Sequence, residues 1–104
     1  MSTSWNVVLK GTPKQEIRAL PDNVRKAAMI RITELRDDPF PPDAIPLQGL
    51  PGLWRLRFAA AYRLIYYVSR KQRKVVVFRA RHRNNAYEGL QPLRVNPETG
   101  ELSQ

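Results

Sequence analysis

The spacing of apolar residues changes once along this chain, and that change limits the folds open to it. In the first part, apolar side chains recur every three or four residues, as on one face of a helix, at Ile17, Leu20, Val24, Ala28, Ile32 and Leu35. After Gly52 the period becomes two, because Trp54, Leu56 and Phe58 alternate with arginines. The order of helices followed by strands predicts an α+β fold in which helices cover one face of an antiparallel sheet.

Local signals place the helices. Residues 5–9 are apolar and β-branched enough for a short N-terminal strand. Thr12 is positioned to cap a first helix, with Pro13 in its first turn and Gln15 at the capping-box position, and the helix is expected to end near residue 20. Pro21 starts a second helix, and the run Asp-Asp-Pro at residues 37–39 ends it.

Three strands are predicted in the second half. Five of the nine prolines fall in residues 39–51, which are expected to form a stiff loop. Beyond the loop, residues 54–58, 62–69 and 74–81 have strand composition, and residues 70–73 form the turn of a hairpin. We therefore expect a three-stranded antiparallel meander within one domain over residues 1–93, followed by a C-terminal tail over residues 94–104.

The charge of the chain points to a polyanionic partner. Eighteen Lys and Arg against nine Asp and Glu give a net charge of +9. Residues 44–87 hold ten Lys or Arg and no carboxylate, so the positive charge belongs to the predicted sheet. On the strands, Arg55 and Arg57 share one face, and so do Arg79 and Arg81, opposite Phe78 and Ala80. Arginines on the helix-free face, with Tyr67 and Tyr87 as surfaces for bases, predict nucleic-acid binding.

Other classes of site are excluded by composition. The chain has no cysteine, which excludes disulfides, a thiol nucleophile, thiolate zinc sites and iron–sulfur clusters. Its one histidine, His82, excludes a zinc site built from several histidines. No apolar run reaches the ~18 residues of a membrane span, and residues 1–10 lack the pattern of a signal peptide. We expect a cytoplasmic protein without metal, cofactor or membrane contact.

Four short motifs carry a family resemblance. They are residues 50–58 (Leu-Pro-Gly-Leu-Trp-Arg-Leu-Arg-Phe), residues 62–66 (Tyr-Arg-Leu-Ile-Tyr), residues 81–83 (Arg-His-Arg) and Tyr87. In their order and spacing, over about residues 5–90, the chain resembles the RelE/ParE superfamily of bacterial toxins from toxin–antitoxin modules. The resemblance implies the α+β fold described above. It implies either the RelE activity, cleavage of mRNA in the ribosomal A site, or the ParE activity, poisoning of DNA gyrase.

The RelE branch implies a set of site residues. The catalytic candidates are Arg55, Arg57, Arg63, Arg81 and Tyr87, with His82 as a weaker candidate. Further RNA contacts are expected from Arg79, Arg83, Lys71, Arg73 and Lys74, although the last three also suit a solvated hairpin turn. The presence of the full arginine set with the tyrosine favours the RelE branch over the ParE branch.

The expected chemistry uses the nucleophile that RNA itself supplies. In-line attack of a 2′-hydroxyl on the adjacent phosphate gives a 2′,3′-cyclic phosphate and a free 5′-hydroxyl, and arginines stabilise the added charge. RelE-type toxins often have lysine where this chain has Arg55 and Arg57, and arginine is too basic to accept the proton. Histidine is a common general base, but strand alternation puts His82 opposite Arg81 unless a bulge intervenes. The sequence leaves the identity of the general base open. A weak enzyme that acts mainly by positioning the RNA within the ribosome is a further alternative.

Two alternatives stay beside the endonuclease. One is a ParE-like gyrase inhibitor without catalysis, and the other is a catalytically inactive RNA-binding member of the superfamily. The expected partners are an acidic cognate antitoxin, and the ribosome with its mRNA. Promoter DNA is reached only indirectly, through the antitoxin.

Overall fold

The chain order is one strand, two helices and then strands. The computed structural model describes residues 4–90, 94–95 and 102–103. Within them the elements are β1 (Asn6–Leu9), α1 (Pro13–Arg18), α2 (Asp22–Asp37), β2 (Ile45–Pro46), β3 (Leu53–Phe58), β4 (Tyr62–Ser69), β5 (Lys74–His82), β6 (Arg94–Val95) and β7 (Leu102–Ser103). The predicted α+β class and both helices are confirmed. In the described part of the chain, neither helix is long and apolar enough to cross a membrane.

Both ends of α2 and the start of α1 lie where the sequence predicts, and α1 ends at Arg18, two residues before its predicted end. Pro21 is extended (φ −56°, ψ 153°) and directly precedes α2, and Asp38 after α2 is extended as well (φ −147°, ψ 106°), because it precedes a proline. Pro13 begins α1, but the capping box is not formed. Thr12 has helical angles (φ −87°, ψ −12°) and its side chain makes no capping hydrogen bond. A capping hydroxyl needs an extended backbone to reach the next turn, so that prediction is wrong.

The sheet is larger than the predicted meander. Its strand order is β1-β5-β4-β3-β2, with β3, β4 and β5 antiparallel in the centre as predicted. However, β1 pairs with β5 in parallel, from Asn6 beside Lys74 to Leu9 beside Val77, so the sheet is mixed. The two-residue strand β2 lies in the proline-rich loop and pairs with β3 at the opposite edge. A proline fits there because an edge strand has one side without ladder hydrogen bonds.

Both faces of the sheet are covered by apolar groups. On the first face the predicted helical stripe packs on the strands, in a cluster that contains Ile17, Val24, Ala28, Ile32, Leu35, Leu56, Phe58, Leu64, Tyr66, Val68, Val75, Val77 and Ala80. The second face was predicted to be lined by arginine. It holds a second buried cluster as well, formed by Leu50, Leu53, Ile65, Val76, Phe78 and Leu90. The loops that contain Leu50 and Leu90 cover this part of the face, so the arginines occupy only the remainder.

The C-terminal segment is described only in part. β6 and β7 pair antiparallel as a separate two-stranded sheet, with Arg94 beside Ser103 and Val95 beside Leu102. The predicted tail therefore contains a strand pair. The predicted domain boundary at residue 93 lies outside the described residues and stays a prediction.

Candidate functional site

Arginines from three adjacent strands meet on the second face of the sheet. In the register, Arg57 on β3 is beside Arg63 on β4, and Arg63 is beside Arg81 on β5. Two residues further along β4, Ile65 lies between Arg55 and Arg79. Directly opposed residues have Cβ atoms about 5 Å apart, so five guanidinium groups are attached to one small area.

A β-bulge sets the positions on β5. Ile65 pairs with Arg79, but the next residue, Tyr66, pairs with Val77, so Phe78 is the extra residue. Phe78 and Arg79 consequently lie on the same face, and Phe78 packs beside Ile65 and Val76. The prediction that Phe78 lies opposite Arg79 is wrong for this reason. The prediction that Arg79 and Arg81 share a face agrees with their register.

Arg63 is used by the fold. Its side chain is buried, and Nη1 donates to the backbone carbonyls of Ala60 and Tyr62, both at 2.9 Å. The β3–β4 turn needs these bonds, because Ala59 and Ala60 have positive φ angles of 46° and 59° that alanine rarely adopts. Its Nε is buried without a hydrogen-bond partner. Arg63 therefore holds the turn and contributes charge from beneath the site.

Arg79 anchors the loop that carries Tyr87. Its Nη1 donates to the carbonyl oxygens of Ala86 at 3.0 Å and Glu88 at 2.5 Å. Burial lowers the pKa of Arg79, and the charge of Arg81 lowers it further. We predicted an RNA contact for Arg79, whereas its observed bonds tie residues 86–88 to the sheet.

Tyr87 and Arg55 are in contact on the arginine-bearing face of the sheet. Tyr87 is 37% exposed, and its hydroxyl accepts a hydrogen bond from Arg55 Nη1 at 3.3 Å. Strand β3 and the loop after β5 are thereby joined on the arginine-bearing face. Two catalytic candidates that are 32 residues apart in sequence are in direct contact.

Arg81 is paired with a residue that sequence reasoning missed. Glu16 on α1 accepts the Arg81 Nε–H at 2.5 Å through one carboxylate oxygen and the Ala80 backbone N–H at 3.0 Å through the other. Both side chains are largely covered, with 28% of Arg81 and 18% of Glu16 exposed. β1 pairs with β5 only as far as Val77, so the carboxylate satisfies the strand edge beyond it. No local sequence signal marks a contact across 65 residues.

Arg57 lies at the margin of the site. Its side chain is exposed, and it borders a groove of about 300 Å³ together with Ile30, Arg31 and Asp43. In that groove a hydrogen bond from Arg31 lowers the pKa of Asp43, and the charge of Arg57 makes a smaller contribution in the same direction. The Arg57 guanidinium is therefore accessible from the edge of the sheet.

His82 lies away from the arginines. Its ring packs edge-on against Tyr62 with centroids 5.2 Å apart, and Tyr62 belongs to the helix-covered face. Its Nδ1 accepts the backbone N–H of Asn84 at 3.1 Å. The bulge at Phe78 does not change this, because Tyr62 and His82 pair in the regular register beyond it. The structure thus places His82 opposite Arg81, as strand alternation predicts.

The predicted RNA-binding residues fall into two groups. Arg83 is exposed just beyond β5, two residues after Arg81. We call the two lines of paired residues that hold the site arginines the arginine rows; they are Arg57–Arg63–Arg81 and Arg55–Ile65–Arg79. Lys71, Arg73 and Lys74 lie at the β4–β5 hairpin, and along β5 Lys74 is about 16 Å from Arg79 and about 23 Å from Arg81 at ~3.3 Å per residue. There the Arg73 guanidinium lies over the Trp5 ring, 4.6 Å from its centroid. The structure does not bring this hairpin group to the arginine rows.

The site is suited to binding a phosphodiester. Arg55, Arg57 and Arg81 supply planar donors that match phosphate oxygens, and Tyr87 supplies a hydroxyl and an aromatic ring beside them. Arg63 and Arg79 set the turn and the loop in place. Guanidinium groups in such an arrangement can stabilise added negative charge, and an aromatic ring beside them can stack on a base.

The described residues thus combine a mixed five-stranded sheet, two helices that cover one face and a row of arginines on part of the other face. Comparison with solved structures identifies this combination: the chain has the RelE-type toxin fold. No protein-family model and no curated protein sequence matches the chain.

Three solved structures illustrate the likeness. The RelBE2 toxin–antitoxin complex from Mycobacterium tuberculosis has a chain 25% identical, with a TM-score of 0.68 over 78% of this chain and 100% of that one. The archaeal RelE–RelB complex from Pyrococcus horikoshii has 23% identity and a TM-score of 0.65, covering 81% and 100%. The isolated E. coli RelE toxin has 21% identity and a TM-score of 0.67, covering 76% and 84%.

Proposed function

We propose that the chain is the toxin of a toxin–antitoxin module and acts as a ribosome-dependent mRNA endonuclease. The observation that carries the proposal is the contact between Arg55 and Tyr87 beside the arginine row of β3, β4 and β5. The RelE-type fold supports the same reading.

The reaction is an in-line transesterification within the mRNA. The 2′-oxygen of one nucleotide forms a bond to the adjacent phosphorus while the bond to the 5′-oxygen of the next nucleotide breaks. The 2′-hydroxyl loses its proton, the departing 5′-oxygen gains one, and the products are a 2′,3′-cyclic phosphate and a 5′-hydroxyl. Arg57 and Arg81 bind the phosphate oxygens, where the negative charge increases in the transition state. Arg55 holds Tyr87, which orients the base or the 2′-hydroxyl.

Positioning supplies most of the catalysis in this proposal. Guanidinium groups do not serve as a base, and His82 packs against Tyr62 on the other face. Restricting two reacting groups to an in-line arrangement removes much of the entropic barrier, and the ribosome contributes by presenting the codon. Arg83 contacts the mRNA beside the proposed cleavage site. The hairpin cations contact ribosomal RNA at a distance from that site: they are Lys71, Arg73 and Lys74.

An acidic antitoxin is the proposed protein partner. The net charge of +9 and the carboxylate-free residues 44–87 favour a carboxylate-rich segment over the arginine-bearing face. The M. tuberculosis, P. horikoshii and Methanococcus jannaschii neighbours are complexes of RelE-type toxins with RelB-type antitoxins. Promoter DNA would be reached only through the antitoxin.

A second candidate function is RNA binding without catalysis. The position of His82 on the helix-covered face favours it, because the described arginine-bearing face then lacks an imidazole. Gyrase inhibition in the manner of ParE is the third possibility, and no specific contact favours it.

Expression in bacteria with mapping of mRNA 5′ ends separates the three. The endonuclease predicts growth arrest with new ends inside codons, and loss of both in Tyr87→Phe and Arg57→Ala. Arg18→Ala is the matched control, because it removes an exposed arginine on α1, away from the site. Growth arrest without new mRNA ends refutes the endonuclease proposal. If DNA double-strand breaks accumulate in that case, they indicate gyrase inhibition instead.

A further inference from the structure

A second concave site lies at the opposite end of the sheet from the arginine row. It has a volume of about 540 Å³ and lies beside the start of β3 and the end of β4. Its lining consists of aromatic rings, small groups and two cations: Phe40, Gly52, Trp54, Tyr67, Val68, Ser69, Arg70 and Lys71. The pocket lies beyond the row of Arg57, Arg63 and Arg81, because Tyr67 follows Arg63 by four residues, about 13 Å along β4. Arg55 of the proposed cleavage site is the residue after Trp54, and strand alternation puts the two side chains on opposite faces of β3.

The walls of this pocket are set by close contacts. Gly52 has a positive φ of 88°, and the Tyr67 ring lies so near that a Cβ at residue 52 would be 2.6 Å from it. Only glycine permits both that backbone angle and that approach. On the other side, the Trp54 and Phe40 rings pack in a T-shaped arrangement with centroids 5.0 Å apart. Three half-exposed aromatic side chains are thus held around one space.

Positive charge borders the same space. The Arg70 guanidinium lies over the Phe40 ring, 4.6 Å from its centroid, and is held there by cation–π attraction. Lys71 follows it on the exposed hairpin turn. Aromatic surfaces with cations at the rim suit a ligand that has a planar ring and an anionic group.

We propose that this pocket binds one unpaired nucleotide, with its base against Trp54 or Tyr67 and its phosphate at Arg70 and Lys71. The volume lies within the ~300–1,000 Å³ typical of small-ligand sites. Seven of the eight lining residues belong to residues 44–87, which contain no Asp or Glu, while the carboxylate of Asp38 accepts the backbone N–H of the eighth, Phe40, at 2.9 Å. The same chemistry is offered by a free mononucleotide and by a nucleotide within an RNA strand, and the test distinguishes the two.

Trp54 provides the signal for the test. The chain has two tryptophans, Trp5 and Trp54, so a Trp5→Phe background leaves one reporter while keeping a ring beneath Arg73. The purified protein is titrated with uridine monophosphate and, separately, with a short oligouridylate, while Trp54 fluorescence is followed. We expect saturable quenching. Tighter binding of the oligouridylate identifies an RNA strand as the ligand, and equal affinity per site identifies the mononucleotide.

Two variants in that background test the assignment. Arg70→Ala removes a phosphate contact and should weaken binding about tenfold, the equivalent of one charge-assisted hydrogen bond. Gly52→Ala should displace Tyr67 and abolish quenching, and Arg70→Ala keeps the test valid if that variant fails to fold. Arg18→Ala, on α1, should leave the titration unchanged, and uridine monophosphate has no phosphodiester bond, so its binding does not depend on the proposed cleavage. Absence of quenching by either probe, or quenching unaffected by Arg70→Ala, overturns the proposal.

Discussion

Replacing Glu16 should destabilise the fold far more than its place on a short surface helix suggests. One carboxylate satisfies the buried edge of β5 at Ala80 and pairs with Arg81, and it joins α1 to the end of that strand. Glu16→Ala leaves the Ala80 N–H without its partner and Arg81 without its counter-ion. Glu16→Gln keeps a neutral acceptor for the N–H and loses the charge.

The magnitude follows from the two bonds. A hydrogen bond to a charged group contributes about 1.5–3 kcal/mol. The ion pair is partly exposed, so screening limits its addition to roughly 0.5–1 kcal/mol. Glu16→Ala should therefore lower the free energy of unfolding by about 2–4 kcal/mol, and Glu16→Gln by about 1 kcal/mol. For a domain of this size the alanine variant should lose roughly 10–20 °C in Tm.

Urea unfolding followed by circular dichroism measures these differences. Gln15→Ala is the matched control, since it shortens the exposed neighbour in the same helix and should stay within about 0.5 kcal/mol of wild type. A double-mutant cycle with Arg81→Ala should yield a favourable coupling energy between the two side chains. If Glu16→Ala is no less stable than Gln15→Ala, the role assigned to the carboxylate is wrong.

Three further predictions concern stability, pH and the site loop. The Tyr66 hydroxyl is buried and donates to a backbone carbonyl at 2.9 Å, and burial raises its pKa; Tyr66→Phe should cost about 1 kcal/mol at neutral pH. The wild-type protein should lose this advantage as the pH rises above the unfolded-state tyrosine pKa of ~10. In urea titrations the unfolding free energy of the variant should therefore fall less steeply with pH in the alkaline range. Arg31 lowers the pKa of Asp43, so the ion pair stabilises the fold above the unfolded-state pKa of ~3.9, and this stabilisation is lost as the pH falls through the lower pKa of the folded state. In acid titrations Asp43→Asn should remove a contribution of at most about 0.5 kcal/mol, because the pair is exposed. Arg79→Ala should release residues 86–88, seen as faster amide hydrogen exchange there than in wild type, and unchanged exchange would contradict the anchoring role.

Much of the fold follows from local signals in the sequence. The helical stripe, Pro21 and the residue before Pro39 place α2, and alternation around Arg55 and Arg57 places β3. The pairing of β1 with β5 escaped prediction, because strand composition carries no information on partners some 70 residues away. The second buried cluster had a visible signal: residues 75–78 (Val-Val-Val-Phe) are apolar without alternation, which is typical of a strand covered on both faces.

The sequence predicted which residues belong to the candidate site. It did not predict which of these arginines hold the fold and which are exposed to a ligand. Alternation indicates that Arg55 and Arg57 share a face, as do Arg79 and Arg81, but the row of Arg57, Arg63 and Arg81 depends on a strand register that alternation does not give. Which arginines hold the fold depends on backbone carbonyls at a turn and a loop, and the sequence does not show where those carbonyls lie. Arg63 and Arg79 look like the other arginines until the turn after β3 and the loop after β5 are built.

The most direct test of the proposed activity uses purified protein on translating ribosomes stalled at a defined codon. We expect cuts within the codon in the A site, a 2′,3′-cyclic phosphate on the upstream fragment and a 5′-hydroxyl on the downstream one. The Tyr87→Phe protein should leave the mRNA largely intact, whereas Arg18→Ala should cut like wild type. Intact mRNA with ribosome-bound wild-type protein would contradict cleavage, and fragments bearing a 5′-phosphate would contradict attack by the 2′-hydroxyl.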